Sequence, residues 1–285
     1  DSPEAVAESV QGFMDRGFGH VRIQMGGYGA SQTLGGYGSG AGPQQPDFMQ
    51  AGYGTPDDNF MDSVTYTKGV IDMFEQVRKT CGERVELLHD VHERVQPMEA
   101  INMIKALEEF RPFFIEDPFS PENIRYFKML REHTTVPIAM GELFNSPHEW
   151  VDPIKDQLFD FIRIHISQVG GITPAMKVAR LAEFFNVRTA WHGPGDVSPV
   201  GHAANAHIDF AVWNFGIQES VSFTDTLQEI FPGSPYVKDG YMYVNVAPGL
   251  GVDINEQLAL KYPLPDKQLN SWTQLRKHDG TAVRP

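Results

Sequence analysis

Residues 85–90 read VELLHD, residues 113–117 read FFIED and residues 137–142 read PIAMGE; in each, an apolar run stops at a carboxylate, Asp90, Glu116 or Glu142. The three acids stand 26 residues apart. A strand buried on both faces stays apolar until it leaves the core, so its last residues reach the rim. One strand, one helix and two short loops account for that period. Three successive units therefore deliver three carboxylates to one end of a parallel sheet. There they repel one another unless a hard cation sits among them, and Mg²⁺ suits an all-oxygen set. Taken singly, each acid also suits the first turn of the following helix, where the macrodipole favours it. The equal spacing favours ligation.

The same rhythm runs along most of the chain. Helical patterns fall near 3–16, 65–81, 97–110, 121–133, 147–158, 173–186 and 198–210. Strand-like runs fall at 20–24, 85–90, 112–116, 136–141, 160–166, 187–191 and 214–218. Strict alternation argues for parallel strands joined by right-handed crossovers. Polar residues recur at successive strand ends (His165, His192 and Glu219 after the triad), which favours a closed α/β barrel over an open sheet. Seven strands are visible, so one more, ahead of Asp1, is needed to close an eight-stranded barrel. Ser2 reads as an N-cap and Pro3 as a first helical residue, so the chain opens inside a helix.

Two segments break the rhythm. Residues 25–59 are rich in Gly, Tyr, Pro and Gln and read as a lid over the rim. Beyond residue 220 come Pro- and Gly-rich stretches with no core of their own. The barrel is assigned to 1–250 and a C-terminal segment to 251–285, packing on another part of the protein.

A formal net charge of −14 and a pI near 5.1 argue against a nucleic-acid partner. No run approaches the ~20 apolar residues of a membrane span. The one cysteine, Cys81, excludes an internal disulfide framework and fits a reducing cytoplasm.

Around the triad stand further candidates. His92 follows Asp90 by two residues, the spacing that keeps a side chain on one face of extended chain, and its imidazole suits acid/base work. His89 has the opposite parity and is expected to pack outward against a helix. His192 and Asp196 share the WHGPGDVSP turn and could bind or protonate substrate hydroxyls; Asp196 could equally cap the next helix. Arg22 ends the HVRIQ strand and could pair with a substrate carboxylate or lower the pKa of a lid tyrosine, Tyr28 or Tyr37. His165 and Glu219 are possible substrate contacts. Arg163 is a weaker candidate, more typical of an internal ion pair.

The strings LLHDVHERVQP, FFIEDPFSPEN, PIAMGELFNS, QVGGIT, HGPGDVSPVGHAA, NFGIQE and APGLGVDI, taken together, resemble the mannonate dehydratase branch of the enolase superfamily, within the mandelate racemase/muconate lactonizing enzyme group. The likeness extends from Arg22 to about Asp253. It implies a (β/α)7β TIM-like barrel, with an N-terminal α+β capping domain and first barrel strand that this sequence lacks, and a C-terminal segment, 251–285, that packs on the capping domain. It implies Mg²⁺ on Asp90, Glu116 and Glu142, with His92 as acid/base and Arg22 paired with a loop tyrosine. The family's spacing to that tyrosine falls on Leu34 here, leaving Tyr28 or Tyr37 as the substitute. His192, Asp196 and Glu219 match residues near the substrate's reacting hydroxyls.

The implied reaction is Mg²⁺-dependent dehydration of a mannonate- or gluconate-like acid sugar to a 2-keto-3-deoxy acid through a metal-stabilised enediolate. Racemisation or epimerisation, and sugar-acid binding with little turnover, are the alternatives. The expected partners are the acid sugar and further copies of the chain as a homo-oligomer, with no nucleic acid and no membrane, in the cytoplasm.

Overall fold

The computed structural model describes residues 2–24, 63–93, 95–195 and 197–263. Helix α1 (Pro3–Asp15) opens as its sequence indicates, with Ser2 Oγ accepting from Ala5 N at 3.3 Å and Pro3 at the first position. There follow β1 (His20–Arg22), α2 (Ser63–Cys81), β2 (Glu86–Asp90), α3 (Pro97–Leu107), β3 (Phe114–Glu116), α4 (Tyr126–His133), β4 (Ile138–Met140), α5 (Pro147–Lys155), β5 (Phe161–Ile162), α6 (Ile172–Phe184), β6 (Arg188–Thr189) and α7 (Pro199–Ala211). The six strands form one parallel sheet in chain order, β1 to β6.

The strands are shorter than their apolar runs. The 160–166 run contributes only β5, then a separate bridge from His165 to His192; the 214–218 run contributes one bridge, Phe215 to Thr189. Gly216 explains the second case. A Cβ there would lie 2.6 Å from Thr189 O and 2.8 Å from the Phe161 ring, so backbone replaces side chain at a tight crossing. Among the described residues the sheet is an arc, with no pairing between β1 and the 214–218 segment.

Two cores flank this sheet. The helices pack on its outer face through a large apolar cluster that includes Phe74, Phe127, Ile138, Ile162 and Trp191. A smaller cluster of Leu88, Phe114, Ala139, Phe161 and Ala190, joined by Phe113 and Ile217, fills the inner face. Its members come from successive strands, the layered filling of a barrel interior. The period-2 alternation of a strand then sends the residues two further along, Asp90, Glu116, Arg163, His192 and Glu219, to the same face one layer higher. An apolar plug carries a polar layer.

His89 points the other way. It is fully buried, with Nδ1 2.8 Å from Ile23 O and Nε2 2.9 Å from Tyr66 Oη, so it ties β2 to β1 and to α2. A carbonyl only accepts, so Nδ1–H donates to Ile23 and Nε2 accepts from Tyr66. Cys81 is likewise buried and packed, beside Ala7 O.

The tail beyond residue 220 packs on the barrel helices. Helix α8 (Asp225–Ile230), the antiparallel hairpin β7 (Tyr236–Lys238) and β8 (Tyr241–Tyr243), and α9 (Glu256–Ala259) complete the described chain. The hairpin turn at Gly240 lies against Gly17 after α1, where a Cβ would come within 2.2 Å of Gly17 O. Leu250 O faces His207 Nε2 of α7 at 3.2 Å. Residues 25–59, expected to form a lid and containing Tyr28 and Tyr37, and residues 264–285 of the C-terminal segment lie outside the described residues. No helix among those described is long and apolar enough to cross a membrane.

Burial lowers the pKa of His89 from 6.5 to about 4, against the opposing pull of its bond to Ile23 O. The unfolded chain takes up this proton first as pH falls. The stability held by neutral His89 is therefore present above pH 6.5 and is lost as pH drops toward 4, by roughly 3 kcal/mol. Urea unfolding at pH 7 and pH 4.5 should show a steeper acid loss for the wild type than for His89→Gln.

Candidate metal and acid-base site

The rim layer is built from carboxylates that have lost their water. Asp90 and Glu116 are paired in register across β2 and β3, and each is almost wholly buried. Their ligand atoms, with that of Asp117, lie within 4.8 Å of one another. Glu116 Oε2 and Asp117 Oδ1 are buried and accept no hydrogen bond, and Arg22 Nη1 stands 3.7 Å from the former. Burial, Asp90 and Glu219 push Glu116 up to about 7, although Arg163 and Arg22 pull it down. Burial, then the charges of Glu142, Glu116 and Asp90, hold Asp117 well above the ordinary carboxylate range. Burial and Glu142 raise Asp90 too, against His92 and Arg22. Desolvated, mutually repelling oxygens with unfilled lone pairs fit a small divalent oxygen-seeking cation.

Asp117 was not singled out in the sequence, because strand alternation sends it away from Glu116. Its backbone breaks that alternation, with φ 41° directly after β3. The signal available was the doubled acid of the ED pair. Left-handed residues recur at the neighbouring strand ends: His92 and Glu93 (φ 53° and 59°) after β2, Gly141 (φ 135°) after β4. Such positions are costly for side-chain residues and cluster where function over-determines the backbone.

That geometry changes the reason for two expectations. His92 does reach the site, but through a left-handed turn rather than extended alternation, its N–H donating to Asp90 Oδ1 at 2.8 Å. Alternation along β4 puts Gly141 at the rim, and its positive φ turns the next residue, Glu142, inward. Glu142 is clasped from two sides, by His92 Nε2 at 3.3 Å on Oε1 and His192 Nε2 at 3.0 Å on Oε2. Burial alone would raise Glu142; the two imidazoles hold it well below the carboxylate range. It is not part of the tight oxygen cluster, yet its charge is felt by both Asp90 and Asp117.

On the far side runs an ion network. Arg163, 2% exposed in its side chain, bonds Glu116 Oε1 through Nε, Glu219 Oε2 through Nη2 at 2.9 Å and Ala190 O through Nη1 at 3.1 Å. Glu219 also accepts from Gly193 N at 2.7 Å and meets Arg22 Nη1 at 3.1 Å. Despite burial, Arg163 and Arg22 lower Glu219 to about 2. Burial would lower Arg22, but Glu219, Glu116 and Asp90 hold it above its ordinary range. Arg22 keeps a side chain 36% exposed, open toward the site. Val21 and Ile23 on either side are buried in the core.

His165 stands beside His192, ring centroids 5.3 Å apart, and its Nδ1 accepts from Ser167 Oγ at 2.8 Å. Asp196 lies outside the described residues, as do Tyr28 and Tyr37. The structure thus gathers Asp90, Glu116, Glu142, His92, His192, Arg22 and Glu219 around one rim. It adds Asp117 and gives Arg163 a central place.

Arg163→Leu removes the buried cation that hydrogen-bonds both Glu116 and Glu219, leaving these carboxylates only the half-exposed Arg22 as a cationic partner. A loss of about 3–5 kcal/mol in urea unfolding of the metal-free protein is expected, far above that of a surface arginine.

Residues 5–258 match the family described as Enolase C-terminal domain-like. A D-galactonate dehydratase family member from Enterococcus gallinarum is 44% identical over 279 residues, covering 98% of this chain and 66% of its own length. Another from Musicola paradisiaca is 47% identical over 285 residues, covering 98% of this chain and 68% of its own. The chain thus spans about two thirds of the length of these curated relatives. A crystal structure of an enolase from Pantoea ananatis with bound D-gluconate and Mg superposes with a TM-score of 0.88 at 44% identity, over 100% of this chain and 69% of that one. An arc of parallel strands with an inner apolar layer is accordingly the greater part of a TIM-like barrel, and the chain belongs to the enolase C-terminal domain-like family.

Proposed function

We propose that the chain is the barrel of an acid-sugar dehydratase using Mg²⁺. The observation that carries this reading is the buried cluster of Asp90, Glu116 and Asp117 beside a carboxylate, Glu142, gripped by two histidines. The dehydratase relatives, and the D-gluconate and Mg bound to the Pantoea ananatis enolase, support it.

Asp90, Glu116 and Glu142 would hold the ion, with Asp117 adding charge beside it. Rotation of Glu142 away from His92 and His192 frees both imidazoles toward the substrate. Bound Mg²⁺ supplies positive charge against the substrate carboxylate, which makes loss of the adjacent proton feasible. Tyr28 or Tyr37, its phenol made more acidic by the Arg22 guanidinium, takes the α-proton as phenolate. His92 donates a proton to the departing β-hydroxyl, so that water leaves and the resulting enol collapses to a 2-keto-3-deoxy acid. His192, His165, Asp196 and Glu219 orient the hydroxyls. Gluconate-like and mannonate-like acids are the preferred substrates.

The full-length protein, given a panel of hexonic acids with Mg²⁺, should release a 2-keto-3-deoxy product from at least one of them. Chelation should abolish turnover, and Asp90→Asn should lower kcat/KM by about 10²-fold or more, as loss of a charge-stabilising group does. No product across the panel sinks the dehydratase reading. Solvent deuterium appearing at Cα without product would point to epimerisation.

A further inference from the structure

Helix α7 presents polar side chains where packing on a sheet asks for apolar ones. Positions 202, 205 and 209 share one stripe of a helix, at i, i+3 and i+7. They are occupied by His202, Asn205 and Asp209, among the small residues Ala203, Ala204 and Ala206. His202 and Asn205 are fully buried. Burying such groups costs free energy unless they find partners.

Each faces one point of the turn that carries His192. His202 Nε2 lies 3.3 Å from Pro194 O and, facing a carbonyl, donates to it. Asn205 Nδ2 donates to His192 O at 3.4 Å. The Asp209 carboxyl faces the indole of Trp191, without closing a hydrogen bond of good geometry. Going back along the chain from Pro194 to His192 to Trp191, the helix answers with 202, 205 and 209, one polar group per step. Gly193 completes the fit, since a Cβ there would lie 3.0 Å from His202 Cε1 and 2.9 Å from Glu219 O.

We propose that His202, Asn205 and Asp209 are positioning residues that hold the Trp191–Pro194 turn, and so aim His192 at Glu142 and the substrate. Trp191, wholly buried, transmits the hold from below. Asp209 does this as an uncharged acid: burial pushes its carboxyl up to about 8, although the Trp191 indole pulls it down. An amide should therefore replace it and a branched alkyl group should not. In its catalytic part the inference rests on the dehydratase reading above; in its structural part it does not.

The test uses full-length protein labelled with 13C at histidine Cε1. The His192 signal is assigned by its loss in His192→Asn, and the remote His89 signal serves as the reference. Asn205→Leu and Asp209→Leu should displace or split the His192 signal while leaving that of His89 in place, with and without Mg²⁺. With a turned-over sugar acid, both should lower kcat by about 10-fold with KM within about 2-fold, the signature of a misplaced group rather than lost binding. Asp209→Asn should restore the wild-type signal and rate. An unmoved His192 signal with unchanged kcat overturns the proposal, as does joint movement of both signals, which marks general loosening. If the wild type forms no product from any acid, the dehydratase reading fails and the His192 signal alone decides this one.

Discussion

The structure depends on like charges held together without water. Asp90, Glu116 and Asp117 bring ligand oxygens within 4.8 Å of one another, all but sealed from solvent. In water such an arrangement disperses; here the backbone leaves it no choice, because each residue sits at or just beyond a strand end packed on an apolar layer. Arg163 and Arg22 relieve one side of the cluster and His92 and His192 engage the neighbouring Glu142. Burial still outweighs these cations at Glu116 and Asp117, whose pKa values stay raised. A bound divalent cation would supply the positive charge that offsets this burial.

Much of this was legible in the chain because a strand obeys a period of two. Leu88, Phe114 and Ala190 of the inner core sit two residues before Asp90, Glu116 and His192, so one pattern reports both plug and rim. His89, out of phase, goes to the helix side for the same reason. The pattern fails where φ turns positive. Asp117 joins the cluster and Glu142 turns inward only because Asp117 itself and Gly141 leave the extended region. A local conformational choice of that kind leaves no periodic trace. Nor does partnership across the sheet: Arg163 could be read as an ion-pairing residue, but that it joins Glu116 to Glu219, 56 positions further along the chain, is a fact of closure.

The polar stripe of α7 was hidden for a different reason. His202 falls within the helical pattern at 198–210, and Asn205 and Asp209 carry no motif. Their meaning lies in what they oppose, a turn 8 to 18 residues earlier in the chain. A turn closed by Val197 N donating to Pro194 O at 3.1 Å leads into α7, and helix and preceding segment meet step for step in opposite directions. Sequence distance is short, yet no helical or strand period spans it.

The ion network has a thermodynamic corollary for the barrel as a machine. Arg163 connects β3, near the middle of the arc, to Glu219 beyond its last bridge, while Arg22 connects that same glutamate to β1 at the other end. Glu219 is thus a clasp between the two ends of an arc that makes no backbone pairing there among the described residues. Glu116 belongs both to this clasp and to the oxygen cluster. A cation that orders Glu116 changes the strength of the clasp, and whatever parts the ends of the arc changes the cation's hold by the same factor. Ring integrity and ligand occupancy are therefore reciprocal quantities, coupled through one carboxylate.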